Sequence, residues 1–303
     1  MSGPLSRYKR FVLWGLKGEG HDSFRHIHRH YHHALRRLGK KAVWLKDEHG
    51  YRESLEPGDL VFAVDIASKW LGPQVPGVTY ILHNFGPSDP IWADLDPERT
   101  LRLQVYTNAC ERWGVEWEPG RRYDRDGRIL FQPWGTDLLA DEFHPPVFNP
   151  SSTEIPFVGS IWEGEGQGNL EAITELKAIT IAHRLVFRHY QHIDDAENVR
   201  VVRAARLAPA VTGKWQVEND YLPCRVFKNV SYGALALTNV PMFRLLFGSS
   251  FRSFGSVSQI VTDALALSET EYLDLVAAQQ DVVRRFTYKE SLLSIERALE
   301  EGM

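Results

Sequence analysis

The sequence predicts an α/β protein of two domains, each with a mostly parallel sheet covered by helices. Short apolar runs alternate with amphipathic helical segments along the chain, which is the rhythm of βαβ units. Both halves also open in the same order, with a strand, a glycine-rich loop and a helix. The chain of 303 residues is longer than one average domain. We therefore expect two similar domains that face each other across a cleft.

The first half is predicted to hold six strands and one long helix. The helix begins near Asp22 or Ser23, which both suit a cap position, and it stops at Gly39, a residue that favours the end of a helix. The strands share a short apolar run bounded by polar, Gly or Pro residues. They cover residues 11–16, 41–45, 59–64, 78–82, 103–106 and 129–132.

The second half follows a proline-rich segment, 144–156, which we interpret as the linker between domains. Its predicted strands are again short apolar runs, at 155–161, 184–187, 207–211 and 234–237. Its predicted helices have apolar residues at helical spacing, at 170–182, 196–205, 269–286 and 288–300. The expected division is an N-terminal domain over 1–148, a C-terminal domain over 149–286 and a last helix over 287–303.

Composition narrows the classes of function. The chain is 43% hydrophobic and 24% charged with a net charge of -4, which gives no argument for a nucleic-acid partner. The two cysteines, Cys110 and Cys224, have no metal-type spacing, and they favour a reduced, cytoplasmic setting. No apolar run approaches the roughly 20 residues of a membrane span. We expect a soluble protein, and peripheral contact with a membrane is left open.

Two histidines stand at the carboxyl ends of predicted strands in the first half. His21 belongs to the loop that contains Gly18 and Gly20, and the pair His83 and Asn84 follows the fourth strand. In open α/β sheets this edge faces the ligand crevice, where a neutral imidazole can act as a general base. Ordinary turns after strands are the alternative interpretation for both.

Five histidines on the first helix resemble a metal site by composition. On a helical wheel, His26, His30 and His33 lie opposite the apolar face, toward solvent, whereas His28 and His32 flank that face. A solvated helix face is favoured over a functional metal site, and no metal ligands are predicted.

The segment 219–239 is the most informative one in the second half. Polar residues come first, then a short helix that stops at Gly233, then an apolar run. Arg225 and Lys228 are three residues apart, so they share one side of the first helical turn. Because a helix N-terminus favours anions, these two cations suit a diphosphate.

Further candidates lie near the start of the second half. Gly159 and Ser160 end a strand before the glycine-rich loop 164–168, whose amides could cradle a phosphate, although Glu163 and Glu165 oppose that interpretation. Arg188 and Lys214 end or follow predicted strands. Each of these two cations is equally consistent with exposed surface charge.

This arrangement resembles the GT-B glycosyltransferases, in which two Rossmann-like domains face a cleft and the second holds the nucleotide-sugar. Residues 225–239 are similar to the family's donor-site helix, and strand 155–161 and the turn 132–137 match its layout. Within this fold, the sequence most resembles the CgeB-like group and glycosyltransferase families 1 and 4. Residues 220–229 also resemble the donor motif of α1,3-fucosyltransferases, with Arg225 in the place of a phosphate-binding Lys.

Two residues depart from these patterns. Lys228 stands where many such enzymes carry a Glu that grips the donor ribose, and an ammonium group cannot accept those hydrogen bonds. Cys224 replaces the Glu of the fucosyltransferase motif. Lys228 could instead neutralise the diphosphate.

The resemblance implies a metal-independent transfer of a sugar from a nucleotide-diphosphate sugar to a hydroxyl of a saccharide or another acceptor, with no further cofactor. It also implies that the last helix packs back on the first domain. The implied catalytic bases are His21 and His83, and the implied acceptor-side loop residues are Gly18, Gly20 and Asn84. The implied donor-binding residues are Gly159, Ser160, Arg188, Lys214, Tyr221, Arg225, Phe227, Lys228 and Asn229.

Two other classes of function stay open. One is a non-catalytic Rossmann-like protein that binds a nucleotide or a partner. The other is an NAD-dependent sugar-modifying enzyme, against which stands the lack of a full dinucleotide fingerprint with a downstream acid.

Overall fold

The computed structural model describes residues 5–17, 23–46, 53–64, 74–84, 95–106, 114–164, 166–252 and 255–302. The chain divides into two compact units. The first consists of Met1–Gln132 together with Tyr288–Met303, and the second consists of Pro133–Thr287. Strands and helices alternate in both units and parallel pairs dominate the larger sheet, so the predicted α/β class is confirmed.

The first unit contains an eight-stranded sheet. Its strands are β1 (Arg10–Trp14), β2 (Ala42–Leu45), β3 (Asp59–Val64), β4 (Thr79–His83), β5 (Thr100–Gln104), β6 (Val115–Glu118), β7 (Arg121–Asp124) and β8 (Ile129–Phe131). Their order in the sheet is β2-β1-β3-β4-β5-β8-β7-β6. The strands β1 to β5 and β8 pair in parallel, whereas β7 is antiparallel to both of its neighbours. The order reverses at β1, which is where open α/β sheets place a ligand crevice.

Apolar residues of the parallel strands form the core of this sheet. All five residues of β4 are buried, as expected for a parallel strand in a sheet that is covered on both faces. Val12, Val61 and Leu82 belong to one buried cluster and come from three neighbouring strands. The same run of apolar residues made these strands recognisable in the sequence.

The hairpin of β6 and β7 was not predicted. Its turn contains Gly120 at a φ of 85°, a conformation that glycine adopts readily. Most residues of the two strands are charged, and the strands are joined by ion pairs of Arg121 with Glu118 and of Arg122 with Glu116. Charged strands lack the apolar run on which the sequence prediction relied.

Helix α1 (Ser23–Arg37) has the predicted extent, and Gly39 follows it at a φ of 71°. The terminal helix (Tyr288–Glu301) packs in the same unit, where the rings of Tyr31 and Tyr288 meet at 4.8 Å between centroids. Together these helices bury Tyr31 almost completely.

The predicted exposure of the α1 histidines is wrong for His30. His30 is buried, and its ring lies 5.6 Å from that of Tyr288 and 4.2 Å from that of His26. His33 is exposed as predicted, and His28, which was predicted to flank the core, is buried. A single helical wheel shows only the face that packs on the sheet, so it could not show that the terminal helix would cover a second face of α1.

The second unit has two parallel strands, β9 (Glu154–Val158) and β10 (Val186–Tyr190), with Phe157 opposite His189. Its helices are α2 (Leu170–Ala182), α3 (Asp195–Ala204), α4 (Lys214–Glu218), α5 (Cys224–Ser231), α6 (Phe243–Phe247), α7 (Val257–Leu265) and α8 (Glu269–Val283). None of the described helices in either unit has the length and apolar character needed to cross a bilayer.

Two predicted strands of this unit, 207–211 and 234–237, are buried but do not form strands. They lie side by side, joined by a bond from the Ala210 amide to the Leu237 carbonyl at 2.7 Å. Side chains take the backbone groups that a strand ladder would use. In the first segment, the Asn229 and Arg225 side chains donate to the carbonyls of Ala208 and Val211. In the second, the amides of Leu235 and Ala236 donate to the side chains of Tyr272 and Gln279.

The bounds of β9 and β10 also differ from the prediction. β9 ends at Val158 because Gly159 follows with a φ of 135°, outside the extended region. β10 starts two residues later than predicted, after a turn in which Arg184 has a φ of 57°. The carboxyl end of β10 is therefore at Tyr190, so His189 and Gln191 lie at the edge where ligands bind to such sheets.

Candidate functional site

The candidate site lies within the second unit, where the parallel strands β9 and β10 end together. Gly159 donates its amide to the Tyr190 carbonyl at 2.9 Å, which holds the two chain ends side by side. The His189 Nε2 lies 2.6 Å from the Gly159 carbonyl oxygen, and Gln191 donates to the Ser160 hydroxyl at 3.1 Å. These polar groups form an ordered rim at the carboxyl edge of the two strands.

Helix α5 begins beside this rim and brings Arg225 to it. The Arg225 guanidinium donates to the Val158 carbonyl at 3.0 Å and to the Val211 carbonyl at 3.4 Å. It also lies over the Phe157 ring, 4.4 Å from its centroid. A Cβ on Gly159 would lie 2.8 Å from the guanidinium, so the glycine is needed for this close approach.

Arg225 carries a positive charge that its partners do not neutralise. Its bonds go to neutral carbonyl oxygens, and none of the described carboxylates forms an ion pair with it. Burial lowers the pKa of Arg225, yet a guanidinium remains protonated at neutral pH. In the first turn of α5 the Val226 amide donates to the Pro223 carbonyl at 3.0 Å, so the amides of Cys224 and Arg225 are the ones that precede the intrahelical bonds. A half-buried cation beside a helix N-terminus is a suitable place for an anion.

The loop between β9 and α2 closes another side of the site. The Asn169 side chain donates to the Ser160 carbonyl at 3.0 Å and accepts from the Trp162 amide at 3.1 Å. Gly213, just before α4, packs so tightly on this loop that a Cβ there would lie 2.1 Å from the Gly168 carbonyl oxygen. The loop is thus fixed at both of its ends.

Lys228 is not at the rim with Arg225. It is buried, and its ammonium group lies 3.4 Å from the buried Asp137 carboxylate. The same carboxylate accepts a hydrogen bond from the Tyr232 hydroxyl and one from Thr136. The two cations predicted to share one side of the helix therefore have different partners, because Lys228 is held by a carboxylate from a distant part of the sequence.

The other predicted donor residues are divided between rim, core and surface. Phe227 is buried between Phe243 and Phe286, at centroid distances of 5.3 and 4.8 Å, and Asn229 donates to the Ala208 carbonyl. Tyr221 is buried against Trp134. Neither Phe227 nor Asn229 has its side chain at the rim.

Arg188 and Lys214 are exposed and ion-paired. Arg188 lies 3.3 Å from Glu154, and Lys214 lies 3.7 Å from Glu218 in the same short helix. Exposed pairs of this kind contribute little to stability, so both cations remain accessible to a ligand. Their roles in donor binding stay predictions.

In the first unit, His83 ends β4 and is buried. Burial, together with the nearby His28, lowers the pKa of His83 to about 3. The imidazole is thus neutral at neutral pH, but a group of this strength is a poor proton acceptor, which works against the predicted role as base. Asn84 follows at a φ of 60°, and its backbone N–H donates to the Leu103 carbonyl. Gly18, Gly20 and His21 lie outside the described residues.

Four polar or aromatic residues of the site were missed by sequence reasoning: Trp162, Asn169, His189 and Gln191. His189 and Gln191 were missed because the predicted end of β10 was three residues too early. The sequence also carries two Asp-x-Asp pairs, at 94–96 and 124–126. In the second pair, Asp124 accepts the Gly127 amide in the turn after β7.

Comparisons with solved structures identify the fold. An α-glucosyltransferase in complex with UDP and a 13-mer DNA containing an HMU base superposes with a TM-score of 0.62 at 9% identity, over 97% of this chain and 100% of the other. The trehalose-6-phosphate phosphatase N-terminal domain of Candida albicans gives 0.58 at 11%, over 99% and 98%. A glycosyltransferase from Rickettsia africae ESF-5 gives 0.55 at 10%, over 97% and 98%.

At these identities the likeness shows the fold alone, and it confirms the expected GT-B fold. No protein-family model matches the sequence, and no curated protein matches it. The finer resemblances, to the CgeB-like group and to α1,3-fucosyltransferases, stay predictions.

The buried pair of Lys228 and Asp137 predicts non-additive effects on stability. Lys228→Met leaves a buried carboxylate without its cation and should cost about 3 kcal/mol of unfolding free energy. Asp137→Leu should cost a similar amount, and the double variant should cost clearly less than the sum. Urea unfolding followed by circular dichroism measures this. Additive costs would show that the pair does not interact. The exposed Lys214→Met variant is the control, with a change below about 0.5 kcal/mol.

The low pKa of His83 predicts a loss of stability in acid. In the unfolded protein His83 has its ordinary pKa of about 6.5, whereas in the folded protein its pKa is about 3. Between these two pH values the unfolded state therefore binds one proton more than the folded state. The contribution is present above pH 6.5 and is lost as the pH falls, by about 2–3 kcal/mol at pH 4.5. His83→Phe should lose that much less stability than the wild type between pH 7 and pH 4.5. An identical pH dependence in variant and wild type would contradict this, and the exposed His33→Gln variant is the control.

Proposed function

We propose that this protein is a glycosyltransferase that moves a sugar from a nucleotide-diphosphate sugar to an acceptor hydroxyl. The observation that carries the proposal is the Arg225 guanidinium. It is fixed at the joined carboxyl ends of β9 and β10, beside the N-terminus of α5, and its hydrogen bonds go to neutral carbonyl oxygens. The proposal also rests on the fold, which is that of GT-B glycosyltransferases.

The chemistry requires that negative charge on the leaving diphosphate be stabilised as the glycosidic bond breaks. Arg225 and the first-turn amides of α5 supply this stabilisation in the proposed mechanism. Lys228 takes no direct part, since its charge is already paired with Asp137. The amide of Ser160 and the Gln191 side chain lie at the same rim and are the next candidates for contacts with the donor.

The remaining features of the function are proposed on the resemblance. They are independence from metal, a cytoplasmic location, and a saccharide or other hydroxyl compound as acceptor. The expectation that nucleic acid is not a partner is also no more than a prediction, because the α-glucosyltransferase of this fold was solved with DNA. The transferred sugar is proposed to be a hexose or a fucose.

A thermal-shift screen tests the class of donor. We expect the melting temperature to rise with one of the UDP-, GDP-, ADP- or CMP-sugars, because a ligand that binds only the folded state stabilises it. A protein that is stabilised by none of these would contradict the proposal. Stabilisation by NAD alone would favour the NAD-dependent alternative.

Removal of the Arg225 charge should weaken transfer. We expect Arg225→Met to lower kcat/KM for transfer by at least about tenfold, or roughly 1.4 kcal/mol of transition-state stabilisation, because the diphosphate loses its cation. Arg225→Lys, which keeps the charge, should recover part of the loss. Circular dichroism and the melting temperature check that both variants fold.

The matched control is Arg200→Met, since Arg200 is an exposed arginine of the same unit that pairs with Glu197 on α3. It should leave transfer unchanged. Full activity in Arg225→Met would show that the phosphate contact has been assigned to the wrong residue.

A further inference from the structure

Trp162 is a large aromatic residue that the fold leaves exposed beside the candidate site. It follows Ser160 by two residues in the loop after β9, and 42% of its surface is exposed. Most other tryptophans and phenylalanines of the second unit are buried in its core, for example Phe157, Phe227 and Phe243. An exposed indole next to a polar rim is typical of a ligand-binding surface.

The loop contacts one edge of this indole and bonds its backbone. Its benzene edge rests on Gly164, where a Cβ would lie 2.1 Å from the ring atom Cζ3 and 2.7 Å from Cε3. Any other residue at 164 would push the ring away. The Trp162 amide donates to Asn169, and the Trp162 carbonyl accepts from the Asn169 amide at 3.1 Å. The backbone of Trp162 is therefore bonded on both sides to one buried asparagine.

The same asparagine ties Trp162 to the rim. The Asn169 side chain also donates to the Ser160 carbonyl, and the Ser160 hydroxyl accepts from Gln191. Trp162 is thus two residues along the chain from the Ser160 hydroxyl, and that hydroxyl is bonded to the Gln191 side-chain amide. Both polar groups are of a kind that can bond to hydroxyl groups. A pyranose ring has this combination of surfaces, with apolar C–H groups on its face and hydroxyl groups around its edge.

We propose that Trp162 is a platform for a sugar ring, either the glycosyl group of the donor or the acceptor saccharide. This inference rests on the proposed function, because it assigns a substrate contact to the same site. Trp162 acts by contact with the sugar and not by proton transfer. It makes the site selective for ligands that carry a pyranose, over the nucleotide alone.

The test compares ligands with and without a sugar. The first step is to find which of UDP, GDP and ADP binds the wild type. That nucleoside diphosphate and its glucose and N-acetylglucosamine conjugates are then titrated calorimetrically into the wild type and into Trp162→Ala. For a donor contact, Trp162→Ala should weaken binding of a conjugate by about tenfold, the size of effect seen when an aromatic stacking partner is removed. The affinity for the nucleoside diphosphate should change less than about twofold.

Steady-state kinetics distinguish the acceptor as the source of the sugar. In that case Trp162→Ala should raise KM for the acceptor about tenfold and leave the KM for the donor unchanged. Trp162→Phe should restore most of either loss, because it keeps an aromatic face. Leu245→Ala is the control, since Leu245 is another exposed apolar residue of the second unit, on α6. It should have no effect on either quantity.

Two results would overturn the platform. One is unchanged binding and kinetics in Trp162→Ala, and the other is an equal loss for the nucleoside diphosphate and its sugar conjugates, which would place a base or phosphate on the ring. If the wild type binds no nucleotide at all, the proposed function fails separately. The platform is then judged by titration of methyl glucosides, where a fluorescence change lost in Trp162→Ala supports it and no change overturns it.

Discussion

The second unit depends on the contacts of one guanidinium group. Arg225 joins three parts of the chain, since it donates to the end of β9 at Val158 and to the segment 207–211 at Val211, and belongs to α5 itself. Its plane rests on Phe157, and its approach requires the glycine at 159. Because these hydrogen bonds go to neutral carbonyl oxygens, they leave the positive charge of Arg225 without a counter-charge. Arg225 can hence order the edge and still present a cation to an anionic ligand.

The second cation of α5 has the opposite arrangement. Lys228 is buried against Asp137, and that carboxylate also accepts hydrogen bonds from Tyr232 and Thr136. Thr136 also lies 2.7 Å from the Ser231 hydroxyl, so a polar network joins the segment after β8 to α5. Burial of such a network costs desolvation, which its hydrogen bonds and ion pair offset. In this protein it fixes α5, and therefore the helix start that carries Arg225.

Much of the fold could be predicted from the sequence because apolar runs mark the buried strands, as in β1, β3 and β4, and because Gly39 marks the end of α1. The hairpin of β6 and β7 could not, since its charged residues pair only across strands. The position of Arg225 at a helix start could also be predicted, and its role as a phosphate ligand stays a prediction. The burial of Lys228 could not be predicted, because its partner, Asp137, is ninety-one positions earlier in the chain, a separation that local patterns cannot show. For the same reason, the sequence could not show that the terminal helix covers a second face of α1. It also could not show that side chains bond the backbone at 207–211 and 234–237 in place of a neighbouring strand.

In the proposed function, an anionic diphosphate binds at the carboxyl edge of β9 and β10. A crystal structure of the protein with the nucleoside diphosphate that stabilises it tests this most directly. We expect phosphate oxygens within hydrogen-bonding distance of the Arg225 guanidinium and of the first-turn amides of α5, with the Lys228–Asp137 pair intact. A nucleotide bound elsewhere, with Arg225 touching only Val158 and Val211, would contradict it.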